Sequence, residues 1–244
     1  MTVNEIVVEG RALTKEFGHI TAVDNLNIRI NRGEIYGLIG PNSAGKTTTI
    51  NMFLGIIKPT HGSITILGER APRKGMLEKT GYMPQETALY EDLTVYETVH
   101  FFGDIYKVKK HELRKRAHQV LRFVGLTEHK NTIVSNLSGG MKSRLSFICS
   151  IIHQPQLLFL DEPTAGIDPQ LRLSLWKYFR EVARKGATVL ITTHYMDEAS
   201  RCDRVGLMWN GKLIGEDSPQ TLKSKTGKES LEDVFLALSE EVDL

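Results

Sequence analysis

Apolar positions along the chain change their period several times, and each change marks an element. Val3, Ile6, Val7 and Val8 supply β-branched residues for a strand over 3–8. Leu26, Ile28 and Ile30 alternate with polar neighbours in a second strand over 26–36, which meets a turn at Asn31, Arg32 and Gly33. Ile35 to Ile39 is a short apolar run that stops at Gly40; after a Gly-containing loop, Thr47 to Ile56 places Ile50, Phe53 and Leu54 on one helical face. Ser63 to Leu67 and Gly81 to Met83 predict further strands, closed by Gly68 and Pro84. Between Thr94 and Leu126, Val95, Val99, Phe102 and Ile105, then Leu113, Val120, Leu121 and Val124, recur at helical spacing and predict an inserted helical subdomain. Leu157–Leu160 and Thr188–Thr192 are strands, with Leu171, Leu175, Trp176 and Phe179 in helical register between them. Strands alternating with helices predict an α/β fold around a mainly parallel sheet.

Composition narrows the class. The chain has 244 residues, 41% hydrophobic and 25% charged, with a formal net charge of +2, which excludes a disordered chain, a collagen and a disulfide-framework miniprotein. Its densest apolar runs are only strand length, far short of the roughly 20 residues that span a bilayer. The N-terminal MTVNEIVVEGRALTKEF alternates polar and apolar residues and predicts no secretory signal. Cys149 and Cys202 have neither the number for a disulfide framework nor a CxxC spacing for zinc, and read as packing residues in a reducing cytoplasm. A near-neutral charge balance supplies no global field for nucleic acid. The cluster Lys107, Lys109, Lys110, Arg114, Lys115 and Arg116 has no interleaved aromatic platform and reads as a solvated helix face. Function must therefore come from local sites.

The sharpest of these is Gly40-Pro41-Asn42-Ser43-Ala44-Gly45-Lys46-Thr47, which matches GxxxxGK[ST] after an apolar strand and before a helix, where phosphate-binding chemistry requires it. A triphosphate with its magnesium carries excess negative charge that must be met by preset donors. Backbone N–H groups of Asn42 to Thr48, at a helix N-terminus, can supply them. Lys46 adds a point charge at the β and γ phosphates, and the Thr47 hydroxyl suits magnesium. The apolar run Leu157 to Leu160 forms a buried strand that delivers Asp161 to the magnesium shell, and Glu162, one residue beyond, can accept a proton from attacking water.

Leu137-Ser138-Gly139-Gly140-Met141 then resembles the LSGGQ signature of the nucleotide-binding subunits of ABC transporters, and the resemblance extends along nearly the whole chain. Phe17 with Gly18, and Ala22 with Val23, match the adenine-contacting segment; Gln85 matches the Q-loop, Ala165-Gly166-Ile167-Asp168 the D-loop, and His194 the histidine after the last core strand. The resemblance implies a P-loop NTPase with a mainly parallel core sheet, an antiparallel β subdomain and an inserted helical subdomain. It implies a single ABC ATPase domain over 1–244, with core and β subdomain at 1–86 and 150–215, the helical subdomain at about 87–149 and a C-terminal helical tail at 216–244. Glu162, His194, Lys46 and Gln85 are then catalytic. Phe17, Val23 and the loop Gly40 to Thr48 bind ATP, and Thr47, Gln85 and Asp161 address Mg2+. Ser138, Gly139, Gly140, Met141 and Asp168 serve the ATP of a second copy in a head-to-tail homodimer. The implied partner is an integral membrane permease docked near Gln85 to Tyr90 and the helical insertion. The implied location is the cytoplasmic face of the membrane, with no nucleic acid involved.

Two positions depart from the family pattern. Ser43 stands where glycine is common, and would cost about 1 kcal/mol if that residue takes positive φ; Met141 replaces Gln. The tail, with Leu231, Val234, Phe235 and Leu238 on one helical face, resembles the chain end of bacterial drug exporters, and it equally reads as a helix packed on the core. The alternative, a soluble ABC-type ATPase acting on ribosomes or DNA, calls for two cassettes in one chain or a long coiled-coil insertion, and the segment from Gly62 to Leu137 is too short for the latter.

Overall fold

The computed structural model describes residues 5–73 and 75–243. They divide into two compact units, one running to Leu77 and resuming at Phe179, the other Glu78–Tyr178. Val3 of the first expected strand lies outside the described residues.

In the first unit, β1 (Ile6–Phe17) and β2 (Ile20–Asn31) form a long antiparallel hairpin, extended by β4 (His61–Ile66) and β5 (Glu69–Arg70) into a sheet of order β2-β1-β4-β5. The second strand ends at Asn31 and not at 36, because a turn with Gly33 at φ 74° separates it from the next strand, whereas β1 runs on past Val8 and β2 starts well before Leu26. The reason for the added length is that the ladder slips register between Gly10 and Leu13 and again before Lys15. Ala12 and Asn25 take positive φ there, and side chains repair the gaps: Ala12 N–H donates to Asn27 Oδ1 at 2.9 Å and Asn25 N–H to Thr14 Oγ1 at 3.1 Å. Such bulges break a two-residue period without ending the strand.

The same unit holds the parallel strands β3 (Ile35–Ile39), β8 (Thr188–Thr193) and β9 (Arg204–Trp209), with β10 (Lys212–Asp217) antiparallel at the edge. β3 is buried along its whole length, as a strand covered on both faces must be. Helix α1 (Lys46–Phe53) follows β3 and stops short of Ile56 because Gly55, at φ 71°, turns the chain. Arg204 ties this unit together: its guanidinium donates to Glu34 Oε1 at 3.1 Å and to Arg29 O at 3.0 Å, pairs with Glu216 at 3.0 Å and lies over the Tyr36 ring.

In the second unit β6 (Thr80–Met83) and β7 (Leu157–Asp161) pair in parallel, Met83 opposite Leu160. Between them run α2 (Val95–Ile105), opened by a Thr94–Glu97 capping box, α3 (Lys110–Phe123) and α4 (Gly139–Ile151). Leu113, Ala117 and Leu121 form the buried stripe of α3, while Lys109, Lys110, Arg114 and Lys115 face solvent. Helix α5 (Pro169–Arg184) carries the chain back to the first unit. There α6 (Met196–Ala199), α7 (Pro219–Thr226) and α8 (Leu231–Asp243) follow, and Leu231, Val234 and Phe235 of α8 are buried. The face that resembled an exporter tail thus packs on its own unit, Phe235 edge-on to Trp209. Both cysteines are buried, and burial pushes both thiols up, away from reactivity. Among the described residues no helix is long and apolar enough to cross a membrane.

His153, just past α4, stacks on Tyr106 with centroids 3.7 Å apart and an interplanar angle of 8°. A carbonyl only accepts, so the 3.1 Å bond to Thr80 O places the proton on Nε2 and leaves Nδ1 bare and buried. Burial outweighs the Thr80 bond, with Arg116 acting in the same sense as burial, and lowers the pKa to about 4. The unfolded ring titrates near 6.5, so the stability of the neutral ring is present above about pH 6.5 and lost as pH falls toward 4. Denaturant unfolding followed against pH is expected to show that loss in the wild type and a flatter slope over the same window in His153→Phe, which keeps the stack without the titratable group. Equal slopes in the two proteins would count against this assignment.

Candidate functional site

Gly40 to Thr48 connect the end of β3 to the first turn of α1. The positions of the two glycines follow from packing. A Cβ on Gly40 would lie 2.3 Å from Met208 O, and one on Gly45, which has φ 102°, would lie 2.4 Å from Ala22 O. Neither place admits a side chain, because backbone from β9 and β2 presses directly on the loop. Gly211 N–H donates to Ala44 O at 3.1 Å and Gly40 N–H to Thr193 O at 3.3 Å, so three strands, β2, β8 and β9, and the turn after β9 fix the loop's path. Gly45 is the N-cap of α1, and no side chain caps that helix. The first N–H groups of a helix have no partner within it, and with the helix dipole they make an anion-binding end.

Lys46 is 5% exposed, and its ammonium donates to Gly40 O and Pro41 O, both at 2.8 Å. The loop is thereby closed on itself, with a buried positive charge drawn across its mouth. Thr47 and Thr48 are half-buried, and Asn42 and Ser43 are exposed. Ser43 has φ 68°, so the departure from glycine falls at a position of left-handed backbone. Phe17 ends β1 half exposed, opposite Ile20. Val23, expected beside the base, is fully buried, and its Cγ2 lies 3.2 Å from where a Gly45 Cβ would be, beneath the loop. His194 follows β8 directly. Because Gly40 is bonded to Thr193, the histidine stands at the same end of the parallel strands as the loop. Its ring leans against Tyr195, centroids 4.0 Å apart.

The second unit gathers the remaining sequence-predicted residues at two places. Met83 and Leu160 are register partners, so Gln85 and the Asp161-Glu162 pair leave the sheet at the same end. Asp161 is 1% exposed at the end of β7, and Gln85 is exposed. Burial, and then the charge of Asp161, push the Tyr82 hydroxyl up to about 12. Glu162 is half-buried with φ 51°, a left-handed conformation that no sequence pattern announced.

At the second place, Ser138 is the N-cap of α4, its Oγ accepting from Met141 N–H at 3.3 Å. Nothing lies within 4 Å of a Cβ built on Gly139, and Gly140 approaches Gly166 O, so the signature segment and the 165–168 turn are neighbours. Asp168 caps α5 by accepting from Leu171 N–H at 3.0 Å and pairs with Arg144 Nη2 at 2.7 Å. The Leu171 bond first, and then the Arg144 charge, hold its carboxyl below the usual range. No motif marks Arg144, which joins the signature helix to the 165–168 turn through Asp168 and, by donating to Val124 O at 3.4 Å, to the end of α3. Its position one helical turn past Gly140 carries no sign of that pairing.

Each taken within its own unit, the half-buried Thr47 hydroxyl and the buried Asp161 carboxylate are hard oxygen donors of the kind that suits magnesium. Among the described residues no cluster of three or more His, Cys, Asp or Glu could hold a metal by itself.

The family profile described as ABC transporter matches residues 23–165, more than half of the chain. The chain belongs to the ABC transporter family. The cassette is 38% identical over 249 residues to the probable multidrug ABC transporter ATP-binding protein YbhF of Escherichia coli, covering 99% of the cassette and 43% of YbhF. It is 38% identical to the linearmycin resistance ATP-binding protein LnrL of Bacillus subtilis, covering 92% of the cassette and 73% of LnrL. Among solved structures, one described as the ATP binding subunit of an ABC transporter superposes with a TM-score of 0.89 at 28% identity, covering 96% of the cassette and 99% of that chain. The cassette thus spans less than half of YbhF, and its fold is that of the ABC ATPase domain, a P-loop NTPase.

Ser43→Gly is expected to stabilise the cassette by about 0.5–1 kcal/mol, since glycine takes this backbone region without the Cβ penalty and gives back part of the gain as unfolded-state entropy. Chemical denaturation measures it; a destabilised Ser43→Gly would mean that the serine side chain holds the loop.

Proposed function

We propose that this chain is the ATP-hydrolysing engine of an exporter, cytoplasmic and peripheral to the membrane, acting on a separate permease, with two copies closing on ATP. The observation that carries the reading is the phosphate loop: side-chain-free at Gly40 and Gly45, uncapped at α1, with Lys46 drawn across it. The export direction draws on relatives named for multidrug transport, linearmycin resistance and Nod factor export. A post-hydrolysis dimer of the cassette MJ0796 bound to ADP and Pi, 26% identical with a TM-score of 0.79 and coverage of 86% of this chain and 98% of that one, supports dimerisation.

In this mechanism the loop's N–H groups hold the phosphates, and Lys46 exchanges its carbonyl partners for phosphate oxygen. Such donors are set before the substrate arrives, so they need little reorganisation as charge develops. Thr47, Asp161 and Gln85 are the residues that would hold magnesium, which when bound would supply neutralisation of phosphate charge. Glu162, whose backbone is held in the left-handed region, accepts the proton of the attacking water. His194 donates to the transferred phosphoryl group. Ser138, Gly139, Gly140, Met141 and Asp168 face the nucleotide of the second copy, using the uncluttered N-terminus of α4.

Glu162→Gln removes the proton acceptor and keeps the shape. ATP binding is expected to persist while turnover drops by about two orders of magnitude or more, with an ATP-bound dimer accumulating on size-exclusion chromatography. Wild-type turnover in that variant would falsify the assigned role. Lys46→Ala is expected to lose nucleotide affinity in equilibrium binding, and a Kd equal to that of the parent would remove the phosphate-loop reading itself.

A further inference from the structure

Lys15 lies on β1 two residues before Phe17, and residues two apart along a strand share a face. Its Nζ stands 4.8 Å from the centroid of the Phe17 ring and donates to Lys58 O at 3.1 Å. That carbonyl is itself held. Thr60 N–H donates to Thr14 O at 2.8 Å, and Thr60 Oγ1 accepts from Glu16 N–H at 3.0 Å, so residues 58–60 are strapped alongside 14–16. Lys15 is half-buried, whereas Phe17 at the hairpin tip is 50% exposed and its register partner Ile20 is 70% exposed.

A half-exposed ring at a hairpin tip has rotational freedom that stacking would remove, and that ordering cost is charged against binding. A cation over one face holds the ring by its quadrupole and leaves the other face open. We propose that Lys15 is a positioning residue for the nucleobase: anchored on Lys58 O, its ammonium covers one face of Phe17 and presents the opposite face for stacking. The ring is then sandwiched between a fixed cation and a purine. This inference rests on the reading of Phe17 as the base platform of an ATP site. It adds the group that orients the platform, and it acts on the base and not on the phosphates.

The test uses the full chain and calorimetric binding of two probes, ATP and inorganic tripolyphosphate, which has no base. Lys15→Met keeps the aliphatic stem and is expected to weaken ATP binding about twofold to tenfold, leaving tripolyphosphate binding unchanged. Lys15→Arg, which retains a cation able to lie over the ring, is expected to restore ATP affinity. In a Phe17→Ala background, Lys15→Met is expected to cost nothing further, because the two act as one unit. Equal weakening for both probes would overturn the proposal in favour of general attraction to phosphate. Tighter ATP binding by Lys15→Met would also overturn it, by showing that the ammonium occupies the base's own face. If Phe17→Ala bound ATP as the parent does, the platform reading would fall and the proposal with it, while intact tripolyphosphate binding would show the phosphate loop still at work.

Discussion

The phosphate loop is shaped by a clamp of main-chain oxygens. Met208 O and Ala22 O sit where side chains at positions 40 and 45 would have to be, so the loop has one path between β3 and α1. The rest of its unit is arranged to keep those oxygens in place. Asp24 N–H bonds Gly211 O and Gly211 N–H bonds Ala44 O, which links β2, the turn after β9 and the loop in one short relay. The bulged hairpin, whose β2 reaches from the solvent tip at Ile20 to the buried Val23, brings Ala22 against the loop at Gly45 and the turn at Gly211. An antiparallel sheet that would otherwise be a separate decoration thereby becomes part of the wall of an anion site.

What could be read in advance follows from how the residues announce themselves. Buried parallel strands are continuous apolar runs, so β3, β7 and β8 stood out almost to the residue. The glycines and lysine of the loop were legible because steric exclusion and charge leave so few residue types that serve. The hairpin was less legible: Ala12 and Asn25 look like interruptions of a strand and are bulges within it. The left-handed backbone at Glu162 and the Arg144–Asp168 pair had no sequence signal, since one depends on a turn made by Pro163 to Ala165 and the other on two segments meeting in space. The α8 face was legible as amphipathic, and only its packing against Trp209 shows what it covers.

Among the described residues Ala12, Asn25, Ser43, Leu67, Lys107, Gln154, Glu162 and Asn210 take positive φ without being glycine, and two of them lie in segments of the proposed site. Ser43 and Glu162, neither of them glycine, take positive φ, a conformation costing on the order of 1–2 kcal/mol for an L-residue. Each lies in a segment flanked by tightly bonded structure: Ser43 between Gly40 and Ala44, whose main-chain groups are both engaged, and Glu162 between the buried Asp161 and a turn closed by Ala165 N–H to Glu162 O at 3.1 Å. A strained residue persists when its neighbours over-determine it, and these two stand in the segments that carry the proposed chemistry.

The departures from the family pattern are tolerable for the same reason that the clamp matters. A site made of main-chain donors depends on backbone path and only weakly on which side chains line it. Ser43 changes the cost of the path and leaves its N–H in place. Met141 supplies its backbone N–H to Ser138 Oγ as any residue there would, so the cap that opens α4 survives the loss of a glutamine amide. Changes at Gly40 or Gly45 are of another kind, because there a single carbon atom would collide with a carbonyl oxygen and push the loop off its path. Substitution is therefore expected to be graded by whether it moves the backbone, with side-chain chemistry decisive where the proposed mechanism asks a side chain for a ligand, a charge or a proton, at Lys46, Thr47, Gln85, Asp161, Glu162 and His194.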